Sequence, residues 1–303
     1  DLPLWKRLLQ PDHEDLIRDA AASEPGAVQD IARLRKRWSP PEVRAALELA
    51  AARRRAAAKF PDADQLVADL EPVEQATPHA IATHKARRFA DRDITDVIDL
   101  CCGMGGDAMA LARVARVVGV DWSALRAWMT ACNADCSVMT ADVHAVDPED
   151  RAFHIDPSRR DSAGRRNHAL ADYRPGPDVL ARLLRDGAAT GAVKLGPGID
   201  PADLPATDRT ELEFISLNGK LSQAVLWSGG LVDQPGGRVA TVLPAGSTLR
   251  GIAGDAPARP LGATVIAADP AVERAGLLGE LGASMAAGEI RPGLGWLTSD
   301  EVT

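Results

Sequence analysis

Along residues 1–92 apolar positions return every three to four residues, as in HEDLIRDAAAS, AVQDIARLRKRWS and PPEVRAALELAAARRRAAAKFP. That spacing lines one face of an α-helix. DADQLVADL and TPHAIATHKARRFA read the same way, and no alternating, period-two run occurs before residue 93. Ser39-Pro40-Pro41-Glu42 marks a helix start, because proline is tolerated in the first turn and a carboxylate there faces the positive helix end. An all-helical N-terminal domain is therefore expected over residues 1–92.

From residue 94 the pattern changes to short β-branched runs separated by helical stretches, as in a parallel sheet with crossover helices. ITDVIDL is expected as the first strand and AMALARVA as its helix. RVVGVD, SALRAWMTACNA, CSVMTADV and RAFHIDP continue the alternation, and VLARLLRD with GAVKLGPG adds a helix and a strand. LEFISLNGKLSQAVLWSG and GRVATVLPAG follow one another across the turn-rich GLVDQPGG, which reads as an antiparallel hairpin closing the sheet edge. The expected fold class is thus α/β, with the sheet domain over residues 93–250. After the linker DAPARPLG come one strand (ATVIAADP), one helix (AVERAGLLGELGASMA) and LGWLTSDEVT. That is too little to close a core comfortably. This small α/β module, residues 255–303, is expected either to pack on the sheet domain or to have lost its remainder. A start at Asp1 without Met and a stop at EVT leave a trimmed fragment open.

Composition narrows the class only a little. With 303 residues, 46% apolar and 26% charged, the chain is an ordinary globular mixture. The net charge of -8 is unevenly spread: residues 1–92 carry 16 basic and 15 acidic side chains, residues 93–303 carry 19 and 28. The acidity argues against sequence-blind DNA binding, which needs an extended basic footprint, and leaves room for a local basic patch. Adjacent Cys101 and Cys102, with Cys132 and Cys136 in one expected helix, form neither a secreted disulfide framework nor a strong zinc pattern. Reduced thiols, no metal and a cytoplasmic, non-membrane protein are expected, since no signal peptide and no run of 18 apolar residues is visible.

The stretch DLCCGMGGDAMALA carries the chemistry. Gly103, Gly105 and Ala108 satisfy the G-x-G-x-x-A dinucleotide pattern, and Asp121 follows 18 residues after Gly103, where an acid can take both ribose hydroxyls. Both facts fit a nicotinamide dinucleotide and S-adenosylmethionine equally. Asp99 at the strand end and Asp107 at the helix start separate them: two carboxylates would repel a pyrophosphate but suit a sulfonium and an α-ammonium. S-adenosylmethionine is therefore the expected cofactor. Asp142 after the third strand is placed to accept from the adenine amino group, with the Val143 N–H facing a ring nitrogen. Trp122 either flanks the adenine or covers the sheet edge. Asp156-Pro157 ends the fourth strand on the same carboxyl-terminal rim, where ligands of open α/β sheets sit.

The succession DLCCGMGGD, GVD, ADV and DPSRR resembles the class I, Rossmann-like S-adenosylmethionine-dependent methyltransferases. With AAKFPDADQLVAD, EQATPHAIATHKARRFA, PGID, SLNGKLSQAVLW and ATVLPAGSTL, nearly the whole chain is similar to bacterial methyltransferases that have a THUMP-like C-terminal domain. The resemblance implies a seven-stranded sheet whose last pair is antiparallel. It also implies a cofactor loop of Asp99, Cys101, Gly103, Gly105 and Gly106, with Asp121 as ribose acid and Asp142 as adenine-side acid.

Asp156-Pro157-Ser158-Arg159 falls where amino-methylating relatives carry an acid or amide, two prolines and an aromatic. The acid and first proline remain, while Ser158 and Arg159 replace the second proline and the ring. The catalytic set implied is Asp156, Pro157 and Arg159, and the substrate implied is RNA, methylated on a base nitrogen. A small-molecule or protein acceptor, for which the acidic body and absent aromatic are natural, is the alternative; a catalytically silent RNA-binding protein is a third.

Arg159, Arg160, Arg165 and Arg166 are expected to contact phosphate or substrate. Arg35-Lys36-Arg37, Arg53-Arg54-Arg55 and Lys85, Arg87, Arg88 either join them as a second wall of an RNA groove or serve solubility. His144 and His154 are expected as helix-start and core residues, not as bases. The oligomeric state is left open.

Overall fold

The computed structural model describes residues 1–158, 169–185, 189–205 and 208–301. They divide into two compact units, Asp1–Ala90 with Thr95–Val146, and Asp91–Ile94 with Asp147–Thr303.

The first unit begins with helices α1 (Leu2–Leu8), α2 (Glu14–Ala21), α3 (Val28–Leu34), α4 (Pro40–Ala56), α5 (Leu70–Gln75) and α6 (His79–Ala90). Helix α4 starts where Ser39-Pro40-Pro41-Glu42 places it, with the Ser39 N–H and hydroxyl both donating to Glu42. DADQLVADL is not helical, contrary to the periodicity. The Asn133 side chain takes both the N–H (2.8 Å) and the C=O (2.9 Å) of Val67, groups that a helix would have used itself. Strand β1 (Asp96–Leu100), helix α7 (Ala108–Leu111), strand β2 (Arg116–Asp121), helix α8 (Ala124–Asn133) and strand β3 (Ser137–Thr140) follow, and the strands lie parallel in the order β3-β2-β1. Met104 and Met129 enter the same apolar core as Trp5, Leu16, Leu49 and Phe60. The N-terminal helices and the loop after β1 therefore share one core.

In the second unit β4 (Ala152–Ile155), α9 (Pro177–Leu183) and β5 (Gly191–Leu195) continue the alternation, with β4 parallel to β5. Strands β6 (Glu211–Leu217) and β7 (Lys220–Ser228) form a hairpin, and β7 is inserted antiparallel between β5 and β6. The hairpin thus lies one element earlier than expected. Asn218 and Gly219 take φ of 52° and 71°, the left-handed pair that a two-residue turn requires. Strand β8 (Arg238–Leu243) then returns parallel to β6, and β9 (Ser247–Gly251) pairs antiparallel with β8.

The remaining elements are β10 (Thr264–Ala267), α10 (Pro270–Ala275), α11 (Leu278–Ser284), β11 (Gly288–Glu289) and β12 (Trp296–Ser299), the strands forming a separate three-stranded sheet. The single helix expected here is two, because Gly276 turns left-handed at the end of α10. Helix α10 packs on β6 and β8. Its Arg274 donates to the carbonyls of Pro197 (3.1 Å) and Ile199 (2.6 Å) and lies 5.7 Å from the Phe214 ring centroid. Packing on the sheet was one of the two outcomes expected for this module. In all, a helical region precedes a mixed α/β Rossmann-like sheet with a smaller C-terminal module.

Candidate active site

Strand β1 ends in buried Asp99 and Leu100, and the chain turns at Cys101 with φ 61°, a conformation that non-glycine residues rarely take. The Cys102 N–H donates to the Val120 carbonyl (3.0 Å), the Gly105 N–H to the Cys102 carbonyl (2.8 Å), and the Gly103 N–H to Asp121 Oδ2 (3.0 Å). Helix α8 holds the loop from beneath: Thr130 donates to the Gly103 carbonyl (3.0 Å) and Asn133 to the Met104 carbonyl (2.8 Å). At Gly105 φ is 90°, and a Cβ would come within 3.3 Å of the Thr130 backbone, so the loop lies directly on α8. A Cβ on Gly103 would meet nothing within 4 Å, so open space lies over the loop there.

Asp99 and Asp121 are both buried, 1% and 7% exposed. Burial raises the Asp121 carboxyl above its ordinary range, against the donated Ser123 and Gly103 N–H groups, and the Asp99 charge adds to the rise. Burial also pushes the Cys102 thiol up, again with Asp99 contributing. An inert Cys102 thiol results, consistent with a structural role for that cysteine. Two buried carboxylates therefore stand at the loop. The cationic sulfonium and ammonium of S-adenosylmethionine fit this donor set, and a pyrophosphate would add like charge to it.

Asp107 does not contribute as expected. Its carboxylate pairs with buried Lys85 at 2.7 Å and accepts from the Thr77 hydroxyl at 2.7 Å, so its charge is offset by the N-terminal segment. The case against a pyrophosphate rests on Asp99 together with Asp121.

The other expected cofactor residues lie in the same unit. The Ala141 N–H donates to the Asp121 carbonyl (3.1 Å), which sets Asp142 and Val143 beside the end of β2. Asp142 Oδ1 accepts from the His144 N–H (2.9 Å) and pairs with its ring Nδ1 (2.8 Å), and these bonds lower its pKa. Val143 is buried; Trp122 is 82% exposed, so it does not seal the sheet edge. Gly106 fits closely against the N-terminal segment, where a Cβ would lie 3.2 Å from Ala76 Cβ.

In the second unit, Asp156 leaves β4 half-buried and Pro157 is buried. Ser158 and Arg174 exchange backbone hydrogen bonds of 2.8 and 2.9 Å, fixing this strand end. Asp156 Oδ2 lies 2.5 Å from Nζ of Lys194, a lysine with only 7% of its side chain exposed. Sequence reasoning missed Lys194, Thr130 and Asn133. The signal for Lys194 was present: one lysine inside the otherwise apolar strand GAVKL demands a buried partner. Arg159, Arg160, Arg165, Arg166 and His168 lie outside the described residues.

Several basic residues of the N-terminal helices serve packing. Lys85 and Arg88 are buried, Arg53 donates to the Leu66 carbonyl (2.9 Å) and Arg54 to the Ala21 carbonyl (3.2 Å). Arg35, Lys36 and Arg37 are exposed. His154 is fully buried in β4, as expected of a core histidine. Among the described residues no group of His, Cys, Asp and Glu could hold a metal, and no helix is long and apolar enough to cross a membrane.

No family model matches the chain. Two curated proteins of Mycobacterium tuberculosis, from strains CDC 1551 / Oshkosh and ATCC 25618 / H37Rv, are each named an uncharacterized S-adenosylmethionine-dependent methyltransferase. Both are 35% identical to this chain over 243 residues, 77% of this chain and 65% of theirs. The chain has the class I methyltransferase fold. It spans slightly less than two thirds of these relatives' length. A solved magnesium protoporphyrin IX methyltransferase from Synechocystis PCC 6803 overlays on it with a TM-score of 0.37 and 18% identity, covering 50% of this chain and 79% of that one. That likeness is too loose to bear on the site. Within the class I methyltransferase fold, the glycine loop and Asp121 stand at the carboxyl ends of β1 and β2.

Proposed function

We propose that this protein is an S-adenosylmethionine-dependent methyltransferase that acts on a base nitrogen of RNA. The observation that carries the cofactor half is the pair of buried carboxylates, Asp99 and Asp121, around a glycine loop fixed from beneath by α8. The relatives' names agree with it. Bound there, S-adenosylmethionine supplies a methyl group made electrophilic by its sulfonium. Asp121 is assigned to the ribose hydroxyls, Asp99 to the cationic methionine portion, and Asp142, Val143 and Trp122 to the adenine.

The acceptor half rests on Asp156 and Pro157. An ionised Asp156 accepts an N–H of the target amine and, with the Pro157 carbonyl, aims the nitrogen lone pair; orientation of this kind supplies much of a methyl transfer rate. The Lys194 ammonium, 2.5 Å away, holds the carboxylate in place. Arg159 is assigned to substrate phosphate or to stacking, in place of the missing aromatic. The C-terminal module is proposed to be THUMP-like, and an RNA-binding role for it rests on analogy. A small-molecule or protein acceptor is the second reading, favoured by the burial of Lys85 and Arg88, which reduces the basic surface offered to a nucleic acid.

Incubation with labelled methyl donor and fractionated cellular RNA, protein and metabolites tests the choice. Label in N-methylated nucleosides of RNA is expected, and label confined to metabolites or to protein rejects the RNA reading. Asp156→Ala is expected to lower transfer by at least about a hundredfold while leaving S-adenosylhomocysteine affinity nearly intact.

A further inference from the structure

The N-terminal segment is tied to the glycine loop at two separate points, once directly and once through Asn133 of α8. After the loop, the Lys85 ammonium and the Thr77 hydroxyl hold Asp107, whose backbone opens α7; Lys85 is 1% exposed and Asp107 6%. Within the loop, the Met104 carbonyl accepts from Asn133, and the same amide clamps both backbone groups of Val67. One side chain thus joins the N-terminal segment to the residue between Gly103 and Gly105. Thr130, one turn earlier on the same face of α8, holds the Gly103 carbonyl. Arg126, a further turn back, pairs with Asp69 at 2.7 Å and so ties α8 to the same N-terminal segment. A buried network of ion pairs and hydrogen bonds of this kind fixes its members jointly, and an alternative loop position breaks several of them at once.

We infer that the N-terminal helical segment is a working part of the cofactor site, with Lys85 and Thr77 acting through Asp107, and Asn133 acting through Met104, as positioning residues for the glycine loop. None of them is assigned a contact with the cofactor. They set the loop conformation that the ligand meets, so that ligand binding and order of the segment 62–85 are coupled. The inference rests on the S-adenosylmethionine reading of the loop.

Amide hydrogen exchange on the wild-type protein, with and without saturating S-adenosylhomocysteine, tests it without any variant. Exchange is expected to slow at residues 101–107 and, together with them, at Val67 and across 77–85, by about tenfold or more. Binding that slows the loop alone and leaves 62–85 unchanged overturns the inference; absence of any binding heat overturns the cofactor reading beneath it. Variants give a second readout. Thr77→Val and Asn133→Ala are expected to weaken S-adenosylhomocysteine by about tenfold at temperatures well below unfolding, while Thr77→Ser, which keeps the hydroxyl, stays near wild type. Folded variants binding as tightly as wild type contradict it.

Discussion

Lys194 beside Asp156 changes what the strand-end acid does. With the ammonium 2.5 Å from Oδ2, the carboxylate is held in one position at the end of β4. Lys194→Met is expected to lower the transfer rate by freeing the carboxylate and to destabilise the fold by about 2 kcal/mol, the loss expected for one charged hydrogen bond. Initial rates and a denaturation midpoint equal to wild type count against the pairing.

A second residue-scale prediction concerns His13 and Glu42. Ser39 hydrogen bonds and then His13 lower the Glu42 carboxyl to about 2 from an ordinary 4.5. Burial opposes charge on His13, but Asp12 and Glu42 outweigh it and raise its pKa above 6.5. The Glu42 contribution to stability is complete above pH 4.5 and is lost as pH falls toward 2. The His13 contribution is complete below pH 6.5 and is lost as pH rises through its raised value. Thermal unfolding followed by pH is therefore expected to show both losses, and Glu42→Gln should remove the acidic one. Asp99, Asp121 and Asp156 were legible as candidates because acids at strand ends stand out. Lys194 was missed because a lysine is read by default as surface.

Elements were legible where pattern and local chemistry agreed. RVVGVD is β2 residue for residue, and the capping acid Glu42 opens α4 where the sequence puts it. Two misreadings share a cause, a local signal passed over or overridden. Asn218-Gly219 is a two-residue turn signal inside what was read as one strand, and it decides the β6–β7 hairpin and the insertion of β7 beside β5. Segment 62–69 has helical periodicity, yet the distant Asn133 captures its backbone, a tertiary bond that no window of sequence contains. Replacing Gly219 by Val places a β-branched residue at a positive φ. The expected cost is about 1–2 kcal/mol, seen as a lowered denaturation midpoint. A midpoint equal to wild type would mean that the turn does not set the hairpin.

At the scale of the whole molecule, the class I methyltransferase fold was readable from the order of motifs, because each motif marks the end of a successive strand. The sharing of one core by the N-terminal helices and the loop was not, since periodicity shows that a helix has an apolar face but not what covers it. The charge balance misled in part: Lys85 and Arg88 count as basic surface in the sequence and are interior in the fold. Asp107, read as a carboxylate facing the ligand, is held instead by Thr77 and Lys85. Asp99 and Asp121 are the acids assigned to the cofactor, and the central claim stands on that pair. Calorimetric titration with S-adenosylhomocysteine and, separately, NADH tests it most directly. The account predicts saturable binding of S-adenosylhomocysteine, weakened by about tenfold or more in Asp121→Ala, with no heat from NADH. Saturable NADH binding without S-adenosylhomocysteine binding would contradict it.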